Sequence, residues 1–539
     1  MRPLSPIPTV LASAVAAMLA LSACTGGTVR GAGDETSGGS GSGNSTFVYA
    51  ANLDVVTDWD PATSYSNELI AMENIYESLT KYNNTTQKVE PRLATSWSSA
   101  DGGTTWTFTL RSGVTFHSGR SMDSTAAKEA IERTIALKGG PAYIWDSVSS
   151  IETPEPTSLV FHLKYPAPLD LISSSAYAAY IYDTTAAGTA DLTTWFGTGK
   201  DAGTGPYQIA DWAKGQETEV RLAAYPDYWG GWKGKHYTTV EYRVTPQLTT
   251  AWQLLQRGDV NFVERLNPQL FAEAEKHEQG LQTSSTSSFQ NLLALFNTSH
   301  GPMTDPLVRK AVQGVIDSDG LLSALKGADS PATGLVPEGL LGHTKDLGLT
   351  HDVPGAKALL AQAGYGPDKP LTLEMTYAQG DDDQQLFATL LASALDEVGV
   401  KLHAQPLQWN AQWDRGKSAD PAERQDIFVM YWYPDYADPY SWFINIFHGA
   451  NPPSFNLTYL SDPSIDAQID ALPQLTANDR SGAEKAYVDL QRELIQDQAV
   501  VAPLYVQQYQ RAYSANVGGY TDNPAYPNVV FAHDLTPGG

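Results

Sequence analysis

The chain has 539 residues and a formal net charge of −26, with 34 Lys and Arg against 60 Asp and Glu. So acidic a surface repels phosphate backbones and anionic headgroups, which argues against nucleic acid or a charged lipid face as a partner. A single cysteine leaves no disulfide framework, so a core must hold the fold; the 13 Trp and 27 Tyr suit that core or a large cleft for organic solutes.

Val10 to Ala23 is one apolar, alanine-rich run behind a start whose charge is Arg2. At about a dozen residues it has the length of a signal-peptide core and is too short to span a bilayer comfortably. Residues 1–23 therefore read as a signal peptide. The run ends in Leu21-Ser22-Ala23-Cys24, which resembles a bacterial lipobox and implies cleavage before Cys24 and lipid on that residue. Several acyl chains would anchor the protein stably at the extracytoplasmic face of the cell membrane. Residues 24–45, dominated by Gly, Ser and Thr, read as a flexible tether with a reach of roughly 25 Å.

No later segment is apolar enough to cross a bilayer, and about 490 residues suffice for two or three domains. Phe47 to Val55 is expected to form a strand, and Asp60-Pro61 turns the chain towards a helix from Glu68 to Leu79. Trp106, Phe108 and Leu110 alternate as in a half-buried strand, and so do Leu159, Phe161 and Leu163. Between them, Ser121 or Asp123 can cap a helix whose inner face is Ala127, Ala130, Ile131, Thr134 and Ile135. Residues from about 90 to 200 thus look like a small α+β unit.

Further on, Asp352 and Pro354 start a helix that Gly364 stops. Leu371 to Tyr377 reads as a strand, Gln384 to Val398 as a helix and Val400 to Ala404 as a strand. Together they make a βαβ crossover with parallel pairing. Ile427 to Trp432 is continuously apolar, as a strand buried on both faces should be. Ligands of open α/β sheets bind beyond the carboxyl ends of the strands. The carboxyl end of this strand runs Trp432-Tyr433-Pro434-Asp435-Tyr436-Ala437-Asp438-Pro439-Tyr440, rich in rings and carboxylates and stiffened by two prolines.

Several stretches, in order, resemble the bacterial extracellular solute-binding proteins of family 5, the peptide and nickel ABC-importer type. They are Leu93-Ala94-Thr95-Ser96-Trp97 through Ser118-Gly119, Gly203-Thr204-Gly205-Pro206-Tyr207, Tyr225-Pro226-Asp227-Tyr228-Trp229, Phe296-Asn297-Thr298 with Asp305-Pro306-Leu307, and the loop at 432–439. The resemblance implies an α/β, two-lobed periplasmic-binding-protein-like fold of type II with an extra small α+β subdomain. It implies a discontinuous first lobe at 46–89, 200–290 and 500–539, an accessory subdomain at 90–199 and a second lobe at 291–499. Phe289 to Phe296 and Val500 to Val506 fall where strands would cross between lobes.

In peptide-binding relatives an Asp of the aromatic loop pairs with the peptide ammonium, and the matching position here is Asp435. Trp432 and Tyr433 are expected to line side-chain pockets, and Trp409, after the strand ending near Leu407, is a second wall candidate; across the cleft, Tyr65, Ser66 and Asn67 lie where relatives offer backbone groups to the ligand. Asp438, before Pro439, reads as a turn former. The expected activity is capture of a small solute, a di- or oligopeptide, for an ABC permease by a monomer. No catalysis, cofactor or protein-built metal site is expected. Relatives also carry oligosaccharides, opines and metal chelates, and Asp435 favours an amine-bearing ligand. A secreted hydrolase is the rival from another class. Its candidate acids, Asp381-Asp382-Asp383, read as a solvated, Gly-flanked loop, and His277-Glu278 lacks the second His of a zinc-protease motif.

Overall fold

The computed structural model describes residues 45–539 apart from 53–54, 140, 277–279, 450–454 and 539. The signal peptide, Cys24, the tether up to residue 44 and the His277-Glu278 pair lie outside the described residues.

Among the described residues, eleven strands join one sheet. In chain order they are β1 (Thr46–Ala51), β2 (Tyr207–Trp212), β3 (Thr218–Ala224), β4 (Thr239–Val244), β5 (Phe262–Val263), β6 (Leu281–Phe296), β7 (Asp329–Pro331), β8 (Leu371–Ala378), β9 (Val400–Leu407), β10 (Ile427–Trp432) and β11 (Val501–Ser514). Across the sheet the order is β9-β8-β10-β6-β11-β5-β1-β4-β3-β2, with β7 also pairing to β11. The expected crossover is present: β8 and β9 are parallel from Leu371↔Val400 to Ala378↔Leu407. Between them the helix Asp382–Glu397 buries Phe387, Leu391 and Leu395. Strand β10 runs parallel to β8 and is almost wholly buried.

The two long strands β6 and β11 are antiparallel and carry the sheet from one half to the other. One end of β11 meets β5 through Phe262↔Tyr513, while the far end of β6 meets β10 from Asn291↔Trp432 to Phe296↔Ile427. Their mutual register shifts between Ser287 and Asn291 and again between Leu292 and Leu293. The interrupted ladder therefore lies between the two halves.

A separate four-stranded antiparallel sheet, Ala94–Ala100, Thr105–Leu110, Ser158–Leu163 and Val148–Glu155, carries the helix Ser124–Leu137. Asp123, not Ser121, caps that helix through the Ala126 N–H. Phe108 is fully buried against Trp97, Trp106 and Phe161, with centroids 5.6–6.3 Å away. Burying each such ring contributes about 1.5–3 kcal/mol. Arg133 of the helix ties this unit to the rest by donating to buried Asp60 at 2.7 Å.

Two expectations are corrected. The helix expected over Glu68 to Leu79 ends at Met72. Beyond it, tertiary donors take the carbonyls that a longer helix would use: Arg92 donates to Glu73 and Tyr76, Tyr207 to Asn74, and Gly205 to Ile75. Likewise, Asp381-Asp382-Asp383 is no solvated loop. Asp381 caps the Asp382–Glu397 helix by accepting from Gln384 N–H at 2.9 Å, and the two residues after it form the first turn. No helix among the described residues is long and apolar enough to cross a membrane.

Candidate binding site

Beyond the carboxyl ends of β8 and β10 lies a cleft of about 880 Å³. Tyr65, Ser66 and Asn67 line it from the loop before the Leu69–Met72 helix, and Tyr433 lines it from the loop after β10. That latter loop is held under cover: Trp432 and every residue from Pro434 to Pro439 are buried.

Asp435 is 2% exposed. Its Oδ1 accepts from the Tyr65 hydroxyl at 2.8 Å, its Oδ2 accepts from the Tyr143 hydroxyl, and its backbone carbonyl accepts from Ser175 Oγ at 2.6 Å. Asp435 is not itself on the cleft wall; Tyr65, which is, reaches it. Burial pushes the Asp435 carboxyl up to about 7, and the Tyr65 hydrogen bond only partly opposes this. Among the described residues no Lys, Arg or His forms an ion pair with it. A carboxylate so placed is costly to ionise until a positive group arrives.

The remaining expected residues divide. Tyr433 lines the cleft and its hydroxyl interacts with that of Tyr177. Trp432 points into the core, where its indole N–H donates to Ser441 at 3.3 Å and its ring meets Phe455 edge-on at 5.2 Å. Trp409 is 46% exposed, packs edge-on against Trp413 and is not on the cleft wall. Asp438 accepts from Tyr440 N–H at 2.8 Å and from the buried Tyr487 hydroxyl at 2.9 Å, which suits a turn former. Burial raises its carboxyl to about 6.

The profile of the bacterial extracellular solute-binding proteins, family 5, matches residues 88–454. This chain belongs to that family. Among its family 5 relatives, the probable D,D-dipeptide-binding periplasmic protein DdpA of Escherichia coli K12 is 26% identical over 481 residues, covering 87% of this chain and 90% of the relative. The probable di/tripeptide-binding protein 5 of Pseudomonas aeruginosa is 27% identical over 517 residues, covering 88% and 94%. NikA from Brucella suis, solved with Fe(III)-EDTA, superposes with a TM-score of 0.78 at 22% identity, over 91% of this chain and 99% of that one. DppA from Helicobacter pylori, solved with the peptide STSA, gives 0.75 at 21% identity, over 92% and 98%. These superpositions give this family 5 protein the two-lobed type II periplasmic-binding fold.

Several cleft residues of this family 5 chain escaped the sequence reading. Asp381 and Asp383 line the cleft together with Asp329, and Arg265 approaches from the other side, its Nη2 3.4 Å from Asp383. Burial, and then the neighbouring Asp383 charge, push Asp329 up to about 7, while Arg265 opposes the rise. One signal was available: an Asp three residues before a Gln, just past a strand's carboxyl end, marks a helix start at the place where α/β sites form. Tyr177 also lines the cleft, and Tyr143 meets Asp435 from behind it; nothing in their local sequence points to the site.

Proposed function

We propose that this protein captures a di- or oligopeptide in the cleft and delivers it to an ABC import permease. The observation that carries the reading is Asp435: a buried carboxylate with tyrosine donors and no ion-pair cation among the described residues, where the loop before the first helix meets the loop after β10. A peptide ammonium donating to the Tyr65 hydroxyl oxygen supplies the positive charge that Asp435 lacks, with Tyr65 linking the cleft wall to the carboxylate. Tyr433 offers a ring to a side chain; Glu68 already holds the N–H groups of Tyr65 and Ser66, so the 65–67 loop meets an extended peptide through its remaining groups. The peptide-binding names of the relatives support the same solute class.

Closure follows from the same geometry. The Tyr65–Asp435 contact joins the loop before the first helix to the loop after β10, so a ligand touching both loops would hold them together. The partition into 46–89 with 200–290 and 500–539, 90–199, and 291–499 belongs to this proposal. It is supported by the strand order and by a buried cluster drawn mostly from residues 93–181. So do lipidation at Cys24, residence at the extracytoplasmic face, a monomeric state and the absence of catalysis.

The test is native mass spectrometry of protein purified from its own host, followed by calorimetric titration of whatever peptide co-purifies. A peptide bound by wild type and released by Asp435→Asn is expected. A bound solute with no amine, or an amine peptide held equally by both proteins, would overturn the reading.

A further inference from the structure

The segment from Thr57 to Glu68 has no regular secondary structure, yet much of it is buried. Buried backbone donors in such a segment need side-chain acceptors. Asp58 and Asp60 serve its first half, accepting from the N–H groups of Asp60 and Ala62. Glu68 serves the half that reaches the cleft. Its Oε1 accepts from the N–H groups of Tyr65 at 2.9 Å and Ser66 at 3.0 Å. Its Oε2 accepts from the Thr57 N–H at 3.3 Å and the Thr57 hydroxyl at 2.9 Å. Four donors thus meet one carboxylate that is 1% exposed, and no cation among the described residues shares it.

The residues so held are those that face the ligand space. Tyr65, Ser66 and Asn67 line the cleft, whereas Glu68 does not. Tyr65 also stands edge-on to Tyr177 with centroids 5.0 Å apart, and its hydroxyl is the one that meets Asp435. A hydroxyl at the end of a tyrosine is aimed by its backbone, and a shift of about 1 Å there is enough to lose such a contact. The backbone of Tyr65 is pinned from behind by Glu68.

We propose that Glu68 is a positioning residue of the cleft: by gathering the N–H groups of Tyr65 and Ser66 it aims the Tyr65 hydroxyl at Asp435, and so controls ligand binding without touching the ligand. A plainer alternative is that Glu68 only starts the Leu69–Met72 helix, as the returning acid of a capping box does. The two differ in one respect. A helix start is indifferent to the Tyr65 oxygen, whereas a positioning role is spent through it. The inference rests on the cleft being the ligand site, and its test is arranged to be separable from that reading.

The experiment is a double-mutant cycle of Glu68→Gln and Tyr65→Phe on the full chain, read first by urea unfolding with no ligand added. Glutamine keeps one acceptor oxygen, but its amide group faces two of the four donors. Glu68→Gln is expected to raise the unfolding equilibrium constant about tenfold in the wild-type background, and only about threefold where the Tyr65 hydroxyl is already gone. An equal effect in both backgrounds overturns the proposal and leaves a helix start. Should Glu68→Gln fail to fold, Thr57→Val removes a single donor from the same carboxylate and goes through the same cycle with the same criterion. Titration with tri-alanine forms the second arm, with about tenfold weaker binding expected for Glu68→Gln and little further loss in Tyr65→Phe. If wild type does not bind tri-alanine, the peptide reading is weakened while the unfolding cycle still decides the role of Glu68.

Discussion

The Tyr65 hydroxyl donates to Asp435 at 2.8 Å across 370 positions of chain, joining the loop before the first helix to the loop after β10. Tyr143 meets the second oxygen of the same carboxylate from the small unit. Three separate parts of the fold therefore converge on one acid. Replacing Asp435 by Asn should remove the charge and keep the shape. Peptide affinity is expected to fall by about 2 kcal/mol or more, as when one partner of a buried charge pair is truncated. Calorimetric titration of wild type and variant checks this.

Affinity should also depend on pH. With its carboxyl raised to about 7, Asp435 is largely neutral below that value and ionised above it. An ammonium pairs with the ionised form, so binding is expected to strengthen as pH rises from 5 towards about 7.5 and to weaken again above about 8, where the peptide α-amino group loses its proton. Binding at pH 6 should release a proton, seen as a dependence of the measured heat on the buffer. Asp435→Asn should flatten the profile.

Stability should move the opposite way. Asp435 and Asp329 are raised to about 7 and Asp438 to about 6, while unfolded aspartates titrate near 4. Below about pH 4 these groups are neutral in both states and burial costs them nothing. As pH rises from about 4 to 7 the unfolded chain loses their protons first, so this contribution to stability declines and is gone above the folded values. Melting temperatures between pH 4.5 and 8 test the slope, and Asp435→Asn should make it shallower. An unchanged slope in that variant would contradict the burial of Asp435.

The two neighbouring aromatics should separate cleanly. Trp432 lies in the core against Phe455, so Trp432→Phe is expected to lower stability by about 1–2 kcal/mol and leave peptide affinity within twofold. Tyr433 lines the cleft, so Tyr433→Ala should weaken peptide binding by about tenfold. Paired urea melts and titrations of both variants decide it.

The small unit offers a test of packing alone. Phe108 is fully buried among Trp97, Trp106 and Phe161, and Phe108→Ala should cost about 3–5 kcal/mol. The loss should appear as accelerated amide exchange over 94–163 before the main sheet opens.

Much of this was legible in the sequence because local period and local contact agree. Trp106, Phe108 and Leu110 alternate and are buried; Leu371 to Ala404 reads as strand, helix, strand and folds as a parallel pair. A buried strand pointed to the loop at 432–440 that follows it, and the family resemblance singled out Asp435 within it. What stayed hidden depends on distant partners. Trp432 and Tyr433 are adjacent rings, and only tertiary packing decides which one faces the cleft. The helix after Glu68 stops early because Arg92, Gly205 and Tyr207, far along the chain, capture its carbonyls. Arg265, Asp329 and Asp383 meet in space from three unconnected segments, which no spacing records.

The shifted register between Ser287 and Asn291 in the paired β6 and β11 concentrates compliance in a few residues. Elsewhere along those strands, bending would tear rungs out of a continuous ladder; here the rungs are already out of step, so rotation need not sacrifice any. Both flanking stretches can then move as stiff plates. An insertion or a proline placed there would alter swing, whereas the same change ten residues away would damage a plate.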